Sequence, residues 1–126
     1  NSLIVVIATD LPFRADQLER LARRGSLGLG RTGAVGTNVS GDFVIAFSTA
    51  NPTSFEARET TNYVAFTAFE DMDVIFQATV EVVEEALINQ LIASKDMTAN
   101  GMTVKGIPHR KLQALLSARG ALVNNP

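Results

Sequence analysis

One side chain has the type and the position to do chemistry on its own, Ser2 at the chain start; Ser40 and Asp42 are further polar candidates along the chain. A serine hydroxyl is a weak nucleophile unless a base takes its proton, and that base is most often histidine. The chain has one His, His109, and no Cys, so a Ser-His or Cys-His arrangement has little to draw on. A serine at a chain terminus carries its own base. An α-amine titrates at about 7.7–8.0, against about 10.4 for lysine, so far more of it is free near neutrality. Here Asn1 precedes Ser2, and an amide nitrogen has no useful basicity. The chemistry therefore predicts an autoproteolytic junction at Asn1-Ser2, with Ser2 attacking the Asn1 carbonyl. The alternative, a trimmed chain end whose second residue happens to be serine, stays open on position alone.

The elements around these residues follow from apolar patterning. Leu3-Ile4-Val5-Val6-Ile7-Ala8 is an unbroken, β-branched run closed by a Thr-Asp-x-Pro turn signal. It predicts a strand buried on both faces, inside a layered α/β sheet. Such a strand starting almost at the chain end, without an initiator Met, leads us to expect a chain cut from something longer. Leu18, Leu21, Ala22 and Gly25 then recur at helical spacing and predict an amphipathic helix over residues 14–29. Its arginines, Arg20, Arg23 and Arg24, read as a solvated face rather than a phosphate site. Gly28-Leu29-Gly30-Arg31-Thr32-Gly33 spells G-x-G-x-x-G, but a dinucleotide fingerprint needs a strand before it and a helix after it. The order here is reversed, so the glycines are expected to end the helix and open a tight loop. Asn38-Val39-Ser40 spells a glycosylation sequon, the weaker reading of these residues. Phe43-Val44-Ile45-Ala46-Phe47-Ser48-Thr49 predicts a second strand. Ser40 and Asp42 thus sit where a polar loop enters a buried strand, a usual place for side chains that converge on a site.

Residues 50–62 read as a surface loop and residues 63–69 as a third strand. Asp71 or Asp73 is placed to cap a long helix over residues 73–94. That helix carries one apolar stripe of Phe76, Val80, Val83, Leu87 and Leu91 and a second of Ile75, Ala78, Val82 and Ala86, so wide a surface that neighbours are expected on two sides. Asn100-Gly101 predicts a turn and Met102-Thr103-Val104 a short strand. Pro108 suits the first position of a last helix that stops at Gly120, with His109 at its surface.

With 126 residues, 46% hydrophobic and 19% charged, the chain predicts a single packed domain over 1–126 and argues against disorder. A net charge of −2 offers no basic footprint for nucleic acid or an anionic membrane. No apolar run approaches the roughly 20 residues of a membrane span. The absence of Cys excludes disulfides and a thiolate metal site within the chain, and no cofactor or metal is expected. A soluble protein of cytoplasmic or periplasmic location is the expectation.

Several separated segments in order carry a resemblance: Ser2-Leu3-Ile4-Val5-Val6-Ile7-Ala8-Thr9-Asp10-Leu11-Pro12, Gln17-Leu18-Glu19-Arg20-Leu21-Ala22-Arg23-Arg24, the Gly-rich loop, Ser40-Gly41-Asp42, Phe47-Ser48-Thr49-Ala50-Asn51, and Glu84-Glu85-Ala86-Leu87-Ile88-Asn89. Together they resemble the small β subunit of the self-processing β-peptidyl aminopeptidases and L-aminopeptidase/D-amidase/D-esterase enzymes. The resemblance runs from Ser2 to about Leu116 and is weakest over residues 52–69. It implies a four-layer αββα sandwich, completed by an α subunit cut from the same precursor, and further oligomerisation of αβ pairs. It also implies that Ser2 is the N-terminal nucleophile, and that Ser40 and Asp42 match a Ser-Gly-acid element beside it. The acid is Glu in some members and here is Asp, one methylene shorter. The oxyanion donors and most of the substrate pocket are expected on the α subunit.

The implied activity is that of an N-terminal-serine aminopeptidase or amidohydrolase. It would release N-terminal residues from short peptides, amides or esters through an acyl-enzyme on Ser2. In that chemistry Ser40 orients the hydroxyl or the freed amine, and Asp42 anchors Ser40 and stabilises the ammonium. Two other classes stand beside it. An ornithine-acetyltransferase-like acyltransferase shares the architecture, but a Thr nucleophile is expected there. A non-catalytic α/β assembly module would leave Ser2 incidental.

Overall fold

The apolar run after Ser2 forms strand β1, Ile4–Thr9, in the computed structural model, which describes residues 2–52 and 63–122. Strand β2, Phe43–Ser48, pairs with it in parallel, in a register that sets Ile4 beside Phe43 and Thr9 beside Ser48. Helix α1, Ala15–Arg31, makes the crossover between them, two residues longer than the predicted 14–29 at its far end. The chain falls into two compact units, Asn1–Glu85 and Ala86–Pro126.

In the first unit α1 packs on one face of the sheet. An added Cβ at Gly25 would stand 2.8 Å from Val44 Cγ1 and 3.5 Å from Ile7 Cδ1, so glycine sets the helix–sheet spacing. The core is Phe13, Leu21, Met72 and Phe76, with Ile7, Leu18, Ala46 and Ile75 packed against it. The other sheet face is bare: Ile4 and Val6 on β1 and Phe43, Ile45 and Phe47 on β2 share it and are 45–73% exposed. The expectation of a strand buried on both faces is therefore not met within the described residues: Val5 and Ile7 toward α1 are half-buried and the other face is exposed. Period-2 alternation puts apolar side chains on both sides of a strand, but covering each side takes a separate layer.

Helix α1 closes as the glycine reading predicts. Thr32 is the C-cap, Gly33 has φ +93°, and the N–H groups of Gly33 and Ala34 donate to the carbonyls of Gly30 and Leu29. This crossed pair satisfies the last carbonyls of the helix. Gly28 serves packing instead, facing Val80 and Val83 of helix α2, Met72–Ala93. The arginines of α1 are only partly a solvated face. Arg23 pairs with Glu19, but the guanidinium groups of Arg20 and Arg24 lie 4.8 and 3.9 Å from the Phe76 ring centroid and roof the core.

Residues 63–69 do not form the predicted third strand. They lead without a ladder into a short 3-10 turn, Phe69–Asp71, directly ahead of α2. Their main chain is held by side chains and one loop carbonyl. Asn51 accepts from Ala65 N–H and donates to its carbonyl, Thr67 N–H donates to Pro12 O, and Gln17 Nε2 donates to Thr67 O. Gln17, buried among apolar neighbours, also accepts from Arg14 N–H at the start of α1, so both ends of its amide are satisfied. Of the two stripes expected on α2, Phe76 and Val83 of the first are buried and Val80 half-buried, whereas Val82 on the second is 62% exposed.

The second unit contains the end of α2 and a hairpin of β3, Met97–Ala99, and β4, Met102–Val104. Asn100 and Gly101 have φ +51° and +76°, the tight turn their dipeptide predicts. Strand β3 was not expected from the sequence. Helix α3, His109–Ala118, has Pro108 as N-cap rather than first helical residue and stops at Gly120, φ +63°. Lys105 Nζ lies 2.6 Å from Asp96 Oδ2, and together with the Gly106 N–H it holds the Asp96 carboxyl below its ordinary value.

Candidate active site

The β1–β2 register determines what meets at the strand entrances. With Ile4 beside Phe43, the residues just before each strand, Ser2-Leu3 and Gly41-Asp42, must lie side by side. Four hydrogen bonds fix them. Phe43 N–H donates to Leu3 O at 2.9 Å, continuing the ladder one step beyond the strands. Leu3 N–H donates to Asp42 Oδ1 at 2.9 Å, and Ser40 Oγ donates to the same oxygen at 3.0 Å. Gly41 N–H donates to Ser2 Oγ at 2.9 Å. Ser2 is thus in one cluster with Ser40 and Asp42, which follow it at a distance of 38 and 40 positions in sequence. Asn1 lies outside the described residues.

Each residue plays a part here that its type alone would not disclose. Asp42 is an anchor on two sides: it receives the main chain of β1 and the hydroxyl of Ser40 on one oxygen. Ser40 also has its N–H on Thr37 O at 2.8 Å, which turns the loop into β2. The direct partner of Ser2 Oγ is the main-chain N–H between those two side chains. Sequence reasoning missed that donor, because a backbone N–H leaves no mark on residue type. Ser2 keeps its own hydroxyl hydrogen, so the oxygen remains available to give it up.

The surroundings are open. Ser2, Gly41 and Asp42 are exposed and Ser40 is half-buried. A cleft of about 340 Å³ runs from Asp42 between the last turns of α1 and the following loop, walled by Ser26, Leu29, Ala34, Val35 and Gly36. Its lining mixes apolar side chains with the Ser26 hydroxyl and the Asp42 carboxylate. Among the described residues no His, Cys, Asp or Glu cluster is arranged to hold a metal ion, and no helix is long and apolar enough to cross a membrane. His109 lies in the second unit, where its Nε2 is 2.8 Å from the Ile92 carbonyl at the end of α2.

Known proteins share this arrangement of chain. The chain is 45% identical over 121 residues to the β-peptidyl aminopeptidase BapA of Sphingosinicella xenopeptidilytica, covering 94% of this chain and 30% of that protein. Its fold matches the L-aminopeptidase D-Ala-esterase/amidase of Ochrobactrum anthropi, described as a prototype serine aminopeptidase with a variant Ntn hydrolase fold. That match has a TM-score of 0.85 and 44% identity over 95% of this chain and 34% of that one. A Burkholderia sp. β-aminopeptidase matches with a TM-score of 0.77 and 33% identity, over 91% of this chain and 35% of the other. The chain therefore spans about a third of the length of these relatives. The mixed α/β architecture is that of an Ntn-hydrolase-like fold. The model of peptidase family S58 matches residues 1–104, and the chain belongs to that family.

Proposed function

We propose that this chain is the nucleophile-bearing β subunit of a self-processing serine aminopeptidase. The observation that carries the reading is the seating of Ser2 Oγ on the Gly41 N–H, beside the Ser40–Asp42 pair, in a member of peptidase family S58. Residues 1–126 form the C-terminal portion of a larger precursor, one domain with the α subunit. The α subunit supplies the second sheet of a four-layer αββα sandwich and covers the bare face of Ile4, Val6, Phe43, Ile45 and Phe47. Pairs of subunits assemble further. Exposed apolar surface of that extent and continuity is what a partner layer buries.

Processing comes first. Ser2 Oγ adds to the Asn1 carbonyl carbon, the C–N bond breaks, and the hydroxyl proton passes to the departing Ser2 nitrogen. Water then hydrolyses the resulting ester, releasing Asn1 as a free carboxyl terminus and restoring the Ser2 hydroxyl. The freed α-amine is now a base near its neutral pKa. In turnover it takes the Oγ proton as Oγ attacks the substrate carbonyl, and gives it to the leaving amine. Ser40 and Asp42 hold the two strand entrances in register during both steps, and the negative charge of Asp42 stabilises the transient ammonium. Water completes the cycle by hydrolysing the acyl-enzyme. Substrates are short peptides, amides or esters with a free N-terminal amine, including the β-peptide and D-amino acid classes for which the relatives are named.

A serine-directed acylating reagent tests this on the full-length protein. The processed enzyme should take a single label at Ser2, and a Ser2→Ala variant should stay unlabelled and uncut. Peptide hydrolysis that survives without any label at Ser2 would exclude the reading.

A further inference from the structure

Resting on Ser2 as the nucleophile, we infer that Gly41 is a positioning residue whose main-chain N–H aims Ser2 Oγ and stabilises it as its proton leaves, in self-cleavage and in turnover alike. The donor is rigidly held. On one side of it Phe43 N–H is tied to Leu3 O, and on the other Ser40 is tied through Asp42 Oδ1 to Leu3 N–H. The N–H therefore points at Oγ without the rotamer freedom that a side-chain donor would have to lose. It can only donate, so it leaves the hydroxyl hydrogen to the base. As negative charge builds on Oγ the bond becomes charge-assisted and strengthens. It does not involve the Ser2 nitrogen, so it works equally before cleavage, when that nitrogen is an amide, and after, when it is an amine.

Glycine at this position is not there for backbone freedom, since Gly41 has no left-handed φ. An added Cβ would stand 3.7 Å from Ser2 Oγ, an ordinary contact, and among the described residues would meet nothing else within 4 Å. Alanine therefore fits and keeps the N–H. It follows that Ser40 and Asp42 act on Ser2 through the turn that aims this donor.

The test compares full-length Gly41→Ala, which keeps the donor, with Gly41→Pro, which removes it. Gly41→Ala should self-cleave and retain kcat within several-fold. Gly41→Pro should lose about 10²-fold in both self-cleavage rate and kcat with KM little changed, as for loss of one preorganised donor. Hydrogen exchange gives a readout independent of whether the proline variant folds. In Ser2→Ala the Gly41 amide should exchange at least about tenfold faster than in the Ser2 protein, while the Phe43 amide stays protected. Unchanged Gly41 exchange, or full kcat in a folded Gly41→Pro enzyme, would overturn the role of Gly41 while leaving Ser2 as nucleophile. Activity retained in Ser2→Ala would overturn both.

Discussion

One methyl group added at Gly28 should separate two helices that the rest of the first unit depends on. An added Cβ there would lie 2.7 Å from the Val80 carbonyl oxygen, 2.8 Å from Val83 Cβ and 3.0 Å from Val83 Cγ1. The nearest atom is backbone in the middle of α2, so it cannot swing aside and the helices must move apart. Forcing a methyl into a packed contact of this kind costs about 1–3 kcal/mol. The same substitution gains up to about 1 kcal/mol from the better helix propensity of alanine, which would mask part of the effect. Gly30, two residues on in the same helix, provides the correction. Among the described residues its added Cβ would meet nothing within 4 Å, so Gly30→Ala has the propensity gain without the clash. The difference between the two variants should therefore be about 1–3 kcal/mol, with Gly28→Ala the less stable. Thermal unfolding of the full-length protein reads the order, with the Gly28→Ala midpoint the lower of the two. A Gly28→Ala midpoint equal to or above that of Gly30→Ala would refute the packing argument.

Removing the Asp42 carboxylate leaves Leu3 N–H and Ser40 Oγ without their shared acceptor, so Asp42→Ala and Ser40→Ala should each lower turnover by about 10²-fold while the assembly stays folded. Asp42→Asn retains an acceptor oxygen but not the charge, and its kcat should fall between that of Asp42→Ala and the parent; normal activity in all three would reduce the pair to loop closure. Expressed without the rest of its precursor, the chain should aggregate or unfold without a cooperative transition, because the face around Phe43 and Ile45 is bare; a cooperative monomeric transition in calorimetry would contradict this. Asp96, with its folded pKa lowered chiefly by Lys105 and next by Gly106 N–H, adds stability to the hairpin unit above the unfolded-state value, and that stability is lost as pH falls through the lower folded value. Carboxyl NMR should show an Asp96 midpoint below the ordinary aspartate value that moves up in Lys105→Ala; an unmoved midpoint would show that the ion pair does not form in solution.

The parts of the fold that local chemistry specifies were legible in the sequence: β1 and β2 from their β-branched runs, α1 from its spacing, the Asn100-Gly101 turn, and the glycine stops at Gly33 and Gly120. Residues 63–69 show the limit of that reasoning. Their composition favours an extended chain, but β propensity describes side chains, whereas a strand needs a partner's main chain. Here the side chains of Asn51 and Gln17 and the Pro12 carbonyl take the backbone groups instead. Strand β3 has only three residues and is specified by the turn that follows it. Gln17 stands on the same helical stripe as Leu21, Gly25 and Gly28, so its burial was readable from spacing, though not its partners. The proximity of Ser2 to Ser40 and Asp42 depends on a parallel register that no single segment encodes.

The central claim is that a free α-amine on Ser2 is the catalytic base, and intact-mass spectrometry of the purified, active protein tests it most directly. The small subunit should begin at Ser2, and Asn1 should be found as the carboxyl terminus of the large one. Ser2→Ala should give a single uncut chain without peptidase activity. An active preparation whose small subunit still carries Asn1 on Ser2 would contradict the account, because the nitrogen would then be an amide and could not take the proton.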